Sequence, residues 1–242
     1  MKKLYFPLVA LAVVFGITGA FLRANLLESA TELTPLWILF AVALAVSIVF
    51  AFLFRKAKSL LSESTKNTVL FPFAISALLI LAYAGLLAFS LREKLEPVEV
   101  VLALLSLYSA VSLLVLGKYN LAERDSTAYC TFAAVPVFWA CFLLIIAFRE
   151  KISDPVISNY VLLIFTYIAI LFFAYAIAAH LLGKNKKHVA IIACFMGIIF
   201  ILTDVVSSAI IGDLSLRLKE ILPELAFLVI MPSATFEIIR KK

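Results

Sequence analysis

Asp204 is the one ionisable side chain deep inside the apolar stretch from His188 to Gly212. Thr203 precedes it. Ser207 and Ser208 follow at i+3 and i+4, so both serines share its face if the stretch is helical. A charge at the centre of a membrane helix costs about 2.5–3.5 kcal/mol on insertion scales, which turns it toward protein or a water-filled cavity rather than lipid. A carboxylate among three hydroxyls suits a site for a proton, a cation or a small polar ligand. The same residues suit a structural role equally well, as a protonated or hydroxyl-bonded carboxyl that pins one helix to another. Asp204, Ser207, Ser208 and Thr203 are therefore the candidate binding residues.

The remaining polar groups read more plainly. Glu224 lies one turn into the last apolar stretch and is expected in solvated interface, while Glu237 has Arg240 and Lys241 beside it for an ion pair. A partnership of Glu224 with Asp204 has no support from spacing. Ser106, Tyr108, Ser109 and Ser112 form a polar stripe on the fourth span, and Thr166, Tyr167 and Tyr175 add hydroxyls to the sixth, whose first turn holds Asn159 and Tyr160. Such stripes usually mark helix contacts held by hydroxyl bonds. His180 and His188 sit at span ends without a carboxylate or cysteine nearby, so they lack the ligand set of a metal site. Cys130, Cys141 and Cys194 fall inside apolar runs, with neither metal spacing nor a disulfide framework. There is no His-Glu-x-x-His, no Gly-x-Ser-x-Gly and no phosphate-cradling glycine loop. No catalytic residue, metal or cofactor is expected.

The elements that must position these groups are long uncharged runs. Lys3 to Arg23 encloses 19 residues, Glu32 to Arg55 22, Lys66 to Arg92 25, Glu99 to Lys118 18, Asp125 to Arg149 23 and Asp154 to Lys184 29. Each crosses a hydrocarbon core of about 30 Å at 1.5 Å per helical residue. Composition agrees, with 65% hydrophobic and 15% charged residues against roughly 45–50% and 25% in soluble domains. Two further runs contain acids. The eighth, with Glu224, Pro232 and Glu237, either crosses or lies partly in the interface. The expected architecture is an all-α transmembrane bundle of eight helices in a single integral membrane domain, 1–242. Its spans are about 4–22, 35–54, 69–90, 98–117, 128–148, 156–182, 188–211 and 221–239. The Met-Lys-Lys start resembles a signal peptide, but its apolar stretch is of full spanning length and reads as a retained first helix.

Charge orients the bundle. With eight spans, the side of the termini carries 14 Lys and Arg and the other side seven. The positive-inside rule puts both termini in the cytoplasm. The net charge of +6 follows from helix ends, so nucleic acid is not an expected partner. Trp37, Tyr5, Tyr119 and Tyr129 sit near span ends as an aromatic belt, whereas Trp139 is mid-span and reads as packing. Pro136 should kink the fifth helix by freeing a carbonyl. Gly16 and Gly19 permit close helix packing. Each outer loop repeats Arg, then an acid, then Pro: Arg23…Glu32…Pro35, Arg92…Glu96-Pro97, Arg149…Asp154-Pro155 and Arg217…Glu220…Pro223. The middle two share Arg-Glu-Lys. A duplicated two-helix hairpin accounts for this, although acid-Pro is also simply a good helix start.

The stretch Pro136-Val-Phe-Trp-Ala-Cys to Phe148-Arg-Glu-Lys-Ile-Ser-Asp-Pro-Val156 resembles a segment of uncharacterised multi-pass proteins of anaerobic Gram-positive bacteria. That resemblance implies a bacterial plasma membrane and no particular activity. Eight short-looped helices in this size range also resemble the lysoplasmalogenase-like family, but that family's acidic motifs have no counterpart here and none of its residues carries over.

Three functions fit. The first is a small carrier or channel-like protein with Asp204 lining its polar path. The second is a non-catalytic membrane subunit or sensor acting through partner helices or as a homo-oligomer. The third is a membrane-embedded lipid enzyme. The bilayer is a partner in all three.

Overall fold

A computed structural model describes residues 2–28, 34–56, 70–91, 96–118, 127–151, 160–184, 186–215 and 217–240, with the side chains of 2–4, 55, 56, 127–130 and 240 outside the description. The described residues form eight α-helices: α1 (Lys2–Glu28), α2 (Thr34–Lys56), α3 (Leu70–Ser90), α4 (Pro97–Lys118), α5 (Thr127–Lys151), α6 (Val161–Leu181), α7 (Lys187–Ile211) and α8 (Leu218–Arg240). All eight are long and apolar enough to cross a membrane, as a backbone that finds no water in hydrocarbon requires. The protein is an all-α, multi-pass membrane bundle.

Burial ranks the helices. α7 and α8 are the most enclosed, with α7 packed on α1, α2, α6 and α8, and α8 on α3, α6 and α7. The outer helices show lipid large apolar side chains such as Phe6, Ile38, Phe71, Leu78, Leu104 and Phe138. This ordering explains the composition of α8. A helix surrounded by protein can carry Glu224, Thr235 and Glu237, all buried, where a lipid-facing one could not. The eighth run is a full helix at the centre of the fold rather than an interfacial segment. Its low hydropathy reflects its neighbours.

Several expected polar roles are met by identified bonds. Pro136 cannot donate to the carbonyl of Phe132, four residues earlier. Ser112 on α4 donates to that freed oxygen instead. Ser106 accepts from Trp139 Nε1 at 2.7 Å and donates to the Leu102 carbonyl. Trp139, fully buried, also stacks on Phe227. Ser106 and Ser112 thus make the stripe on α4 a hydroxyl-bonded helix contact, whereas Ser109 is buried with no described hydrogen-bond partner and Tyr108 is 67% exposed.

One expectation fails and others fall outside the description. Tyr5 is no belt residue: it is buried and donates to the Pro232 carbonyl. His180 lies in the last turn of α6, as expected of a span end, and is buried. Glu237 is buried, and its expected partners Arg240 and Lys241 lie outside the described side chains. Asn159, Tyr119, Tyr129, Cys130, Arg92 and Asp154-Pro155 also lie outside the description. Cys141 and Cys194 are free thiols.

The first span ends later than its charge suggests. Arg23 closes an apolar run, but nothing in Arg23-Ala-Asn-Leu-Leu-Glu28 breaks a helix, and α1 continues to Glu28. Arg23 is therefore a helical residue on the same face as Gly16, Gly19 and Ala20. That face lies against α7. A methyl group placed on Gly16 would sit 2.7 Å from Leu202 Cβ, and one on Gly19 2.6 Å from Thr203 Oγ1. The close approach lets Thr203 donate to the Gly16 carbonyl at 3.2 Å.

Candidate functional site

The site lies at the end of the bundle opposite the two chain termini, called the distal end. Three segments build it. α7 presents Asp204, Ser207 and Ser208 on one face. α1, seated by its glycines, delivers Arg23. The third segment is the turn after α7, where Gly212 adopts φ +88° and the amides of Gly212 and Asp213 both donate to the Ser208 carbonyl. This left-handed cap suits glycine, because a Cβ there would crowd the following carbonyl. The chain reverses and brings Arg217 back over the last turns of α7.

Asp204 is held from both sides. Arg217 forks onto its carboxylate, Nη2 to Oδ2 at 2.8 Å and Nη1 to Oδ1 at 3.1 Å. Arg23 Nη1 also donates to Oδ1. The remaining donors are used as well: Arg23 reaches Ser207 Oγ at 3.0 Å, and Arg217 reaches Ser208 Oγ at 2.5 Å and Glu220 Oε2 at 2.7 Å. Glu220 Oε1 in turn meets Lys151 Nζ at 2.9 Å. The result is a chain of alternating charge, Arg23–Asp204–Arg217–Glu220–Lys151, tying α1, α7, α8 and α5 together. Asp204 is 0% exposed and Arg23 6%. Burial alone would lower the Arg217 pKa, but its hydrogen bonds to Asp204 and Glu220 and their charges raise it above the usual range.

The candidate residues thus divide. Ser207 and Ser208 share the Asp204 face and serve as acceptors for its arginines. Thr203 belongs to the α1–α7 seam instead. Arg23 and Arg217 were legible only as loop charges.

Beside this clamp a cleft of about 150 Å³ opens among α3, α4, α5, α6 and α8. Its polar lining is Tyr83, Glu99, Glu150, Lys151, Tyr167, Lys219 and Glu220. Lys219 approaches Glu99 at 3.7 Å, and Ser90 donates to Glu99 at 3.2 Å. Among the described residues no ion pair engages Glu150. Below the cleft, Glu224 is 0% exposed, against the expectation of a solvated interface. No described donor meets either of its carboxyl oxygens. Its near neighbours are Asp204 and Tyr167. Deeper still, the apolar side chains of Phe227, Ile230 and Met231 fill the interior.

Chemically, Asp204 is committed to its two arginines, whereas Glu150 in the cleft has no described ion-pair partner. The described His, Cys, Asp and Glu side chains form no group able to hold a metal ion. The fold and site define a polytopic membrane bundle with a cleft of mixed polar and apolar lining beside a buried ion clamp. No family model matches the chain, and no curated protein or solved structure matches it significantly.

Proposed function

We propose that the protein is a small carrier of the plasma membrane that admits its cargo through the distal cleft. The observation that carries this reading is a cleft with charged walls, about 150 Å³ in volume, leading toward a buried, partnerless carboxyl. Below it an apolar layer closes the path, as an outward-open resting carrier requires. Under the positive-inside rule the distal end faces away from the cytoplasm. Asp204 then acts as the anchor of the cleft floor and not as a cargo ligand, because both its oxygens already hold arginine. The cargo-facing charge is Glu150, with the Tyr83 and Tyr167 hydroxyls nearby. This selects a small solute with an amino group or other positive charge. Several waters would fill the same space.

Two features weigh against the alternatives. A subunit working through partner helices would concentrate small or polar side chains on one lipid-facing patch, whereas the exposed Ala41, Ala45, Ala82, Gly85 and Ala88 are interspersed with large Phe, Leu, Ile and Val. The neighbouring Asp204 and Glu224 keep a lipid hydrolase as a second reading, but Asp204 is committed as the counter-ion of two arginines rather than to acid–base work.

Thermal unfolding of the purified protein tests the proposal against amino acids, polyamines and inorganic cations. A cargo at about 100 times its Kd stabilises by about 2.7 kcal/mol. At about 2–4 °C per kcal/mol for a chain of this size, Tm rises by roughly 5–10 °C. Glu150→Gln should abolish that rise without lowering the basal Tm by more than a degree or so. If no solute in the panel raises Tm, or if the rise survives Glu150→Gln, the cleft is not the cargo site.

A further inference from the structure

We propose that Glu224 is an exchangeable proton site, protonated against Asp204 in the empty bundle and able to release its proton toward the distal cleft. The inference rests on the carrier reading above and names its coupling ion.

The geometry carries it. Glu224 is fully buried with both carboxyl oxygens unmet. A carboxylate left so would forfeit its hydration for nothing, and in practice such groups take up a proton. Its nearest ionised neighbour across the α7–α8 contact is Asp204. As an ionised acceptor already gripped by two arginines, Asp204 can bond to Glu224 only if Glu224 supplies the hydrogen.

The surroundings make the proton removable. The charged and titratable groups near Glu224 are Asp204 on α7, Arg217 in the turn, Glu220 on α8 and Tyr167 on α6, with Arg23 of α1 beyond Asp204 and Tyr83 of α3 beyond Tyr167. The Arg23–Asp204–Arg217–Glu220–Lys151 chain that adjoins Glu224 holds three cations, so a carboxylate left there by proton loss has positive charge close by. Tyr167 lines the cleft and lies within electrostatic reach of Glu224, so its hydroxyl is the group common to both. In the step itself, the Glu224 O–H bond breaks, the proton passes by way of Tyr167 to water in the cleft, and the carboxylate stays behind. Uptake is the reverse.

Infrared difference spectroscopy over a pH series tests this on the full chain in liposomes, with no cargo present. The expected result is the carbonyl band of a protonated carboxylic acid that disappears as pH rises and is missing in Glu224→Gln. Isotope labelling of glutamate carboxyls should shift the band in the wild-type protein, and Glu150→Gln and Glu237→Gln should both retain it, which assigns it even if Glu224→Gln fails to fold. Tyr167→Phe should keep the band and slow its exchange in heavy water several-fold. A band that moves only with labelled aspartate, a band retained in Glu224→Gln, or no titrating band while the protein stays folded would overturn the proposal. The two readings fail separately: a titrating Glu224 band without any cargo response leaves the proton site and removes the carrier, and a cargo response without the band does the opposite.

Discussion

Asp204→Ala is expected to lose about 3–5 kcal/mol of stability, because removing one partner of a buried ion pair leaves an uncompensated charge behind. Here it leaves two. Arg23 is almost wholly buried and loses its counter-ion; Arg217 keeps only Glu220. A folded bundle would have to admit water to the α1–α7–α8 junction or swing α1 away. Denaturant titration in mixed micelles measures the loss. Asp204→Asn should cost less, since the amide oxygen still accepts a hydrogen bond. Ser207→Ala should cost about 1 kcal/mol, the ordinary contribution of one hydrogen bond. If Asp204 were instead an accessible ligand residue, both substitutions would be near neutral for stability.

Gly16→Val should be the second large effect, and it acts at a distance from the charges. Even a single methyl at Gly16 meets Leu202 Cβ at 2.7 Å and Ile199 Cα at 3.4 Å, atoms close to or within the α7 backbone that cannot turn aside. Overpacking of this kind costs about 1–3 kcal/mol. It also pushes α1 off α7, breaks the Thr203–Gly16 bond and draws Arg23 from Asp204, so the total should exceed packing strain alone. Gly85→Ala is the control. Nothing lies within 4 Å of its would-be methyl, and alanine favours the helix by up to about 1 kcal/mol over glycine. One glycine substitution should therefore destabilise strongly and the other not at all. Equal effects at the two positions would mean that the α1–α7 seam is not the close contact described.

The transmembrane architecture is written openly in the chain because lipid leaves the backbone no alternative. Apolar runs of spanning length can only be helices, and all eight are present. The polar face of α7 was legible for a similar reason: a lone carboxylate with two serines at helical spacing is costly unless it faces protein. What completes the site was hidden. Arg23 and Asp204 are 181 positions apart, and charges at the ends of apolar runs look like topology markers whether they face water or fold inward. A signal did exist in the absence of any helix breaker after Arg23, which carries it round to the Gly16–Gly19 face. Glu224 lies one turn from the end of its run, a position that suggests solvent, but the neighbouring helices cover that turn. A helix wrapped by other helices needs less hydrophobicity than one wrapped by lipid, so the most polar span is the one to place at the centre.

The clamp can be tested most directly by a double-mutant cycle between Arg23 and Asp204. Unfolding free energies of the wild type, Arg23→Ala, Asp204→Ala and the double variant would be compared under one condition. Residues in one buried network typically couple by about 0.5–3 kcal/mol, and this pair should lie in the upper half of that range, the double variant losing much less than the two singles together. Losses that add to within about 0.3–0.5 kcal/mol, as independent sites do, would mean that α1 does not bring Arg23 to Asp204.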